Sequence, residues 1–491
     1  MNAIKMTSKR LAPFYMVLLM LTGCAVGPDF KDPVVEAPEA YRTAAMPTGA
    51  VEDLKWWTLF EDPLLYDLVT TALENNRDLK IALSRIEQAR ATVGFTRADQ
   101  YPRLDGEAGA RTGNVNGGSR SPDTQSTVYL AAPLNWEIDF WGKFKRSTEA
   151  ARDDLMASEY GLKAVQLALI SDVVRTYHQL LDFHRRLAIS ESTLTSRIES
   201  LKIIQQRFDK GIISELDVNQ AQIQKEIAAG AIPLYQRSIA KTENGLAILL
   251  GRLPETVRIK KNLRGTPPPD IPVGLPANIL TRRPDILQAS YLLKAQTERI
   301  GVAEALRLPA ISLTGTLGIA STDLGAVTTE GGVWSIGGRL LGPIVDFSKN
   351  KRRVEIEEQK TQQALYQYEN TVLTAFREVD DALAEIATYR DELAAIDRQQ
   401  KAAKNANDLS KERYDKGVSS YLEVLETERT LFSAELQQSD LQQQYRNAYV
   451  NLYKALGGGW VNQADRNEQT EPERPMNATT QLAPTAVNVI E

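Results

Sequence analysis

Two periods of apolar residues take turns along the chain. Val128, Leu130, Ala132, Leu134, Trp136, Ile138 and Phe140 share one parity, and Thr127, Asn135, Glu137 and Asp139 fall on the other. Strand side chains alternate between faces, so this run predicts a strand with one apolar face, long enough for the ~9–11 tilted residues that cross a bilayer. Leu104, Ala108 and Ala110 alternate in the same way with Arg103, Asp105 and Glu107, as do Ile311, Leu313, Leu317 and Ile319 with Ser312, Thr314 and Thr316. A fourth, Gly-rich strand is expected around Trp334 to Phe347, and Gly- and Ser-rich loops (Gly113 to Ser126, Ser321 to Gly332) join the strands of each pair.

Elsewhere the period lengthens. Val372, Phe376, Val379, Leu383, Ile386 and Leu393 form a heptad seam. Lys349 to Lys416 contains no Gly or Pro, and Lys143 to Lys210 contains only Gly161. At ~1.5 Å per residue, each stretch predicts a helix ~100 Å long. Gly211 and Gly417 are placed to end these helices, and Ser214 and Ser420 to N-cap the helices that return to Leu250 and Leu456. Gly230 and Pro233 predict a kink in the first returning helix.

The chain is written twice. Arg207-Phe208-Asp209-Lys210-Gly211-Ile212-Ile213-Ser214-Glu215-Leu216-Asp217-Val218 recurs 206 residues later as Arg413-Tyr414-Asp415-Lys416-Gly417-Val418-Ser419-Ser420-Tyr421-Leu422-Glu423-Val424. Shifted by 206 or 207, Asp78 matches Asp285, Gly94 matches Gly301, Pro102 matches Pro309, Asp139-Phe140 matches Asp346-Phe347, and Gly251 matches Gly457. Each half therefore reads helix, strand, strand, very long helix, turn, shorter helix. Four strands cannot close a barrel, and open edges leave unpaired backbone groups in hydrocarbon at several kcal/mol each. If the strands span a membrane, several chains must pool them; three chains would supply twelve, an even count within the range of outer-membrane barrels.

Lys5, Lys9 and Arg10 precede an apolar run from Leu11 to Leu21 that ends in Leu21-Thr22-Gly23-Cys24. A basic start, a short apolar core and small residues describe a secretory signal rather than a spanning helix. The ending resembles a bacterial lipobox, which implies acylation of Cys24, and the non-acidic Ala25 after it implies outer-membrane sorting.

Composition narrows the chemistry. The net charge of −5, from 58 basic and 63 acidic residues, gives no basic footprint for nucleic acid. One Cys and two His cannot fill a zinc site unaided. His178 and His184 are six residues apart, off the same-face spacing of a helical metal pair, and no phosphate loop or nucleophile elbow appears. No catalytic, cofactor or metal site is expected.

Three motifs and the duplication carry a family resemblance: Cys24-Ala25-Val26-Gly27-Pro28-Asp29-Phe30; Trp56-Trp57-Thr58-Leu59-Phe60-Glu61-Asp62-Pro63-Leu64 leading into Asn76-Arg77-Asp78-Leu79-Lys80; and the repeated turn. The chain resembles the TolC-like outer-membrane efflux proteins, in the lipoprotein branch that serves resistance-nodulation-division (RND) pumps. The resemblance implies an α+β membrane protein in which each of three chains gives four strands to a twelve-stranded outer-membrane β-barrel, continued by a long periplasmic α-helical barrel. It implies a homotrimer that meets outer-membrane lipid, a periplasmic adaptor and an inner-membrane RND pump, and that exports small toxic compounds. Gly211, Ser214, Leu216, Gly417, Ser420 and Leu422 match the family's adaptor-docking tips. Leu422, Glu426 and Arg429 match its periplasmic gate, Glu426 departing from the family's Asp. On the residues alone, Glu426 reads equally as an exposed helix carboxylate and Leu422 as a seam residue.

The expected organisation is a signal peptide (1–23), a lipidated extension (24–61), a first repeat (62–251), a linker (252–280), a second repeat (281–457) and a disordered polar tail (458–491). Two other readings stay open: a duct for type I protein secretion or metal-ion export, and a lipid-anchored periplasmic coiled-coil adaptor without a pore.

Overall fold

The computed structural model describes residues 25–35, 37–42, 62–114, 124–257, 278–321 and 332–458. Cys24, the signal, the double-Trp motif, most of the two Gly-rich loops, the Pro-rich linker and the tail lie outside the described residues. The elements run α1 (Pro63–Asn75), α2 (Arg77–Ala98), β1 (Arg103–Leu104), β2 (Glu107–Asn114), β3 (Thr124–Ile138), α3 (Lys143–Asp209) and α4 (Glu215–Leu249), then α5 (Asn278–Arg282), α6 (Pro284–Ala305), β4 (Ala310–Ser321), β5 (Gly332–Leu341), α7 (Lys349–Asp415) and α8 (Tyr421–Ala455). Both long helices have 67 residues and both returning helices 35, so the duplication reaches the element boundaries. At ~1.5 Å per residue, α3 and α7 are ~100 Å long. Among the described residues, no helix is long and apolar enough to cross a membrane.

The repeated Asp139 and Asp346 start the long helices. Asp139 accepts from the backbone N–H of Phe144 (3.0 Å) and Lys145 (2.7 Å), and Asp346 from those of Ser348 and Asn350 (both 3.1 Å). These bonds satisfy N–H groups that a helix N-terminus leaves without partners. Asn76 splits the first helix of the chain in two, its side chain accepting from Leu79 N–H at 3.1 Å as the cap of α2. Helix α4 runs through Pro233 as one element.

The main core lies at mid-height of the helices. Leu65, Leu68 and Val69 of α1, Val173, Val174 and Leu180 of α3, Leu246 of α4, and Leu452 and Leu456 at the end of α8 join the α7 seam in one continuous core. On that seam Val372, Val379, Leu383 and Ile386 are buried, joined by Ala375 and Ala382, whereas Phe376 and Leu393 are half-buried. The heptad reading holds for the first four turns and then shifts, with Ile396 taking the buried position.

Candidate functional site: a one-sided sheet and a paired helical tip

The strands form one antiparallel sheet in which β1 and β2 both pair with β3, β3 with β4, and β4 with β5. Three of the predicted strands are corrected, two of them at a proline. The first strand is interrupted at Asp105-Gly106, level with Pro133 in the continuous register that pairs Leu104 with Leu134 and Glu107 with Ala131. Proline has no N–H to complete the ladder there. The last strand ends at Leu341 rather than Phe347, just before Gly342-Pro343, and the third ends at Ile138 rather than Phe140.

Register gives the sheet two chemically different faces. Ala108 lies opposite Leu130, Leu130 opposite Ile319, Trp136 opposite Leu313, and Ile138 opposite Ile311. The row continues into β5, where Trp334 faces Leu317, Ile336 faces Gly315, and Leu340 faces Ile311. The other face carries Arg103, Glu107, Arg111, Thr127, Asn135, Glu137, Ser312, Thr314, Thr316, Ser335 and Arg339. Among the described residues helices cover neither face, and every residue of β5 is exposed. Such a sheet, apolar on one side, polar on the other and unpaired at both edges, is a segment of barrel wall.

At the far end of the helices the repeated turn appears twice. Gly211 (φ +70°) and Gly417 (φ +74°) take the left-handed conformation that ends α3 and α7. Their N–H groups donate to Phe208 O (2.7 Å) and Tyr414 O (3.0 Å), while Ile212 and Val418 reach back to Arg207 O and Arg413 O. These are paired Schellman turns. Ser214 and Ser420 occupy the N-cap positions in extended conformation. Their chemistry differs: Asp217 accepts from both the N–H and the hydroxyl of Ser214, whereas Glu423 turns instead to Arg413 at 3.0 Å.

The two tips are joined within the chain. Arg207 bridges to Asp415 at 3.1 Å and lies over the Tyr414 ring at 4.5 Å. Tyr414 in turn meets Tyr421, which packs with Ile204, Ala221, Val424 and Leu425 in a second small core. Burial, with the Glu428 carboxylate behind it, pushes the Tyr421 hydroxyl up from its ordinary range. Leu216 and Leu422 are both more than 60 % exposed, as are Ile212 and Val418. The sequence reading named the two leucines; the same duplicated turn held Ile212 and Val418 as a second apolar pair that it did not single out.

Leu422, Glu426 and Arg429 fall on one face of α8, and all three are exposed. Leu422 therefore does not pack its own hairpin. Glu426 and Arg429 form an ion pair at 3.4 Å. The opposite face of α8 is seated on a buried polar layer that the sequence did not reveal. Arg197 of α3 donates to the Gln224 carbonyl of α4 at 2.5 Å and lies 5.0 Å from the Phe432 ring of α8. Burial pushes its guanidinium down from the ordinary range, against the opposing pull of Glu428. Lys411 of α7 meets Glu428 at 3.0 Å, and Ser410 and Thr427 share a hydrogen bond at 2.7 Å.

The two histidines stand apart in chemistry. His178 is buried in the main core with Nδ1 3.0 Å from Asn447 Oδ1, and burial pushes its pKa down to about 4. His184 is half-buried, and burial lowers its pKa as well.

The sequence pattern of the outer membrane efflux protein family matches residues 68–252 and 275–458, one segment per repeat. The solvent efflux pump outer membrane protein SrpC of Pseudomonas putida is 37% identical over 455 residues, covering 90% of this chain and 97% of SrpC. The cation efflux system protein CusC of Escherichia coli (strain K12) is 33% identical over 467 residues, covering 92% and 100%. Among solved structures, the outer-membrane channel OprN superposes with a TM-score of 0.83 at 31% identity, covering 89% of this chain and 100% of OprN. The one-sided sheet is thus the membrane wall of an efflux duct, with the long helices reaching into the periplasm, and an adaptor without a pore is set aside. The chain belongs to the outer membrane efflux protein family.

Proposed function

We propose that three copies of this chain close one twelve-stranded barrel, dock through their helical tips onto a periplasmic adaptor, and pass small toxic compounds outward from an RND pump. The observation that carries this reading is the sheet itself: four strands with one continuous apolar face and two unpaired edges. Hydrocarbon tolerates no open edge, so the edge at β1 and β2 of one copy must meet β5 of the next. The Gly211 and Gly417 turns, with Ser214, Leu216, Ser420 and Leu422, form the docking surface. Acylated Cys24 anchors each copy to the inner leaflet. Leu422, Glu426 and Arg429 point toward the threefold axis, where three carboxylates and three guanidinium groups narrow the duct.

The pump chooses the cargo. Relatives named for solvents and for cations share this fold at 37% and 33% identity, so the channel's frame does not encode one substrate. Small apolar toxicants and drugs are the cargo proposed for this chain. Deleting the protein should sensitise cells to such compounds when the cognate pump is present and have no effect in a pump-deleted strain. Sensitisation to copper or silver salts alone would favour metal-ion export instead. Substituting Leu216 and Leu422 together with Asp should abolish capture of the adaptor while leaving the heat-resistant oligomer intact; retained capture would remove the tips from docking.

A further inference from the structure

The segment before α1 is bonded at both ends although it contains no helix or strand among its described residues. At the strand end, Val26 N–H donates to the Trp141 carbonyl at 3.1 Å. Arg146 Nη2 donates to Asp29 Oδ1 at 3.0 Å and lies 3.4 Å from the Gly27 carbonyl, while its Nη1 meets the buried Glu298 of α6 at 2.8 Å. Arg146 is itself buried. At the other end, Arg42 N–H donates to Asp380 of α7 at 2.9 Å, and Tyr41 enters the main core. The strap thus joins α3 of the first repeat to α6 and α7 of the second.

The fit at its upper end is backbone against backbone. Gly27 has φ +103°, and a Cβ built on it would lie 2.4 Å from Gly301 Cα. A Cβ on Gly301 would in turn lie 2.7 Å from the Val26 carbonyl oxygen. Two glycines are needed for so close an approach, one on the strap and one in the middle of a helix.

The duplication supplies an internal comparison. Gly94 matches Gly301, yet a Cβ on Gly94 meets nothing within 4 Å. Arg352 matches Arg146, yet its side chain is largely exposed and pairs with Glu355 on its own helix. Ala91 stands where the second repeat has Glu298. One of two equivalent seams has been fitted to receive the strap.

We propose that residues 25–35 and 37–42 act as an intramolecular clasp that locks the α3–α6 seam between the two repeats, with Arg146 as its positioning residue. The clasp makes each chain a pre-set wedge and leaves the matched seam free for a neighbouring copy, a consequence that rests on the trimeric reading above. The strap's own docking does not depend on that reading.

The test is hydrogen–deuterium exchange on the full chain purified from outer membranes, with heat-resistant oligomer measured alongside. In Gly301→Ala, peptides from 25–42 and from α6 should exchange about tenfold faster or more, since loss of the docked state opens that unit locally. Gly94→Ala should match the parent, because alanine is the better helix former and has room there. Asp29→Asn lies on an exposed side chain and folds whatever Gly301→Ala does; it should speed both sets of peptides several-fold. Parental exchange of the strap in both variants would overturn the clasp. So would a released strap with α6 unchanged. A released strap and a loosened α6 with undiminished oligomer would keep the clasp and overturn the wedge.

Discussion

Arg197→Met tests how α8, which carries the proposed gate, is seated. Arg197 is 3% exposed, and its guanidinium holds the Gln224 carbonyl of α4 while lying over Phe432 of α8. A charged hydrogen bond contributes ~1.5–3 kcal/mol, and a desolvated cation–π contact ~2 kcal/mol. The loss also leaves the buried Glu428 carboxylate with one cation fewer beside it, and breaking such a buried set costs ~3–5 kcal/mol. Both routes converge on about 4 kcal/mol. Methionine keeps most of the apolar stem, so the cavity contribution is small.

At ~1.4 kcal/mol per factor of ten, that loss multiplies local opening by roughly 10²–10³. Hydrogen exchange of peptides from 198–214 and 418–432 reads it directly, with the core peptide around Tyr177 as the unchanged reference. Adding Glu428→Gln removes the stranded charge and should recover part of the protection. Exchange at the tip within about threefold of the parent would show that the layer contributes under ~1 kcal/mol and does not hold α8 in place.

Glu426 offers a cleaner functional readout, because its 3.4 Å pair with Arg429 is largely exposed. Exposed i,i+3 pairs contribute under ~0.5 kcal/mol, so Glu426→Gln should leave thermal stability unchanged and raise single-channel conductance in planar bilayers. Unchanged conductance would take Glu426 out of the gate. His178 gives a pH signature. Its folded pKa, about 4, lies below the ordinary ~6.5 of an unfolded histidine, so the unfolded chain binds the extra proton between those values. The stability it contributes is fully present above pH ~6.5 and declines toward pH ~4 by ~1.4 kcal/mol per unit, ~3 kcal/mol per chain in total. Thermal midpoints followed from pH 7 to 4.5 should fall less steeply for His178→Gln; an equal slope would assign the acid sensitivity elsewhere.

Much of this architecture was legible because both membrane walls and long helices impose strict periods. The parity of Val128 to Ile138 announced the apolar face of β3, and the repeated turn located both tips. The fourth strand was harder. Gly337 and Gly338 dilute its pattern, and although Trp334, Ile336 and Leu340 share one parity, Val333 and Leu341 fall on the other, so it is the register with β4 that shows which face is the apolar one. The break between β1 and β2 was hidden for a similar reason, since Pro133 causes it from the neighbouring strand. Contacts between unlike members of the duplication were invisible. Arg207 and Asp415 are not equivalent positions, so the repeat that placed both residues gave no hint that they would meet. The Val26-Gly27-Pro28-Asp29 motif could be read as a family mark but not as a strap, because its seat, Gly301, looks like any other helical glycine until the two backbones are seen together.

The helices are also packed unevenly along their length. At mid-height Val173, Leu180, Leu246, Val372, Val379 and Leu452 meet with almost no exposure, and His178 and Asp182 are buried at the same level. Toward the tips a buried polar layer of Arg197, Gln224, Asn407, Ser410 and Glu428 lies beside the small core of Ile204, Ala221, Tyr421, Val424 and Leu425. Arg197, Ser410 and Glu428 give up hydration for partners that a small displacement can exchange for water. An apolar core has no such substitute, so its disruption costs the full transfer energy of every side chain exposed. Local stability should therefore fall from the middle of the helices toward Gly211 and Gly417, as expected where opening units lie beside a rigid frame. A tip built like the mid-height core would hold α8 more firmly in place. One without the Arg197 layer would leave the Leu422, Glu426 and Arg429 face, the proposed gate, with no fixed position.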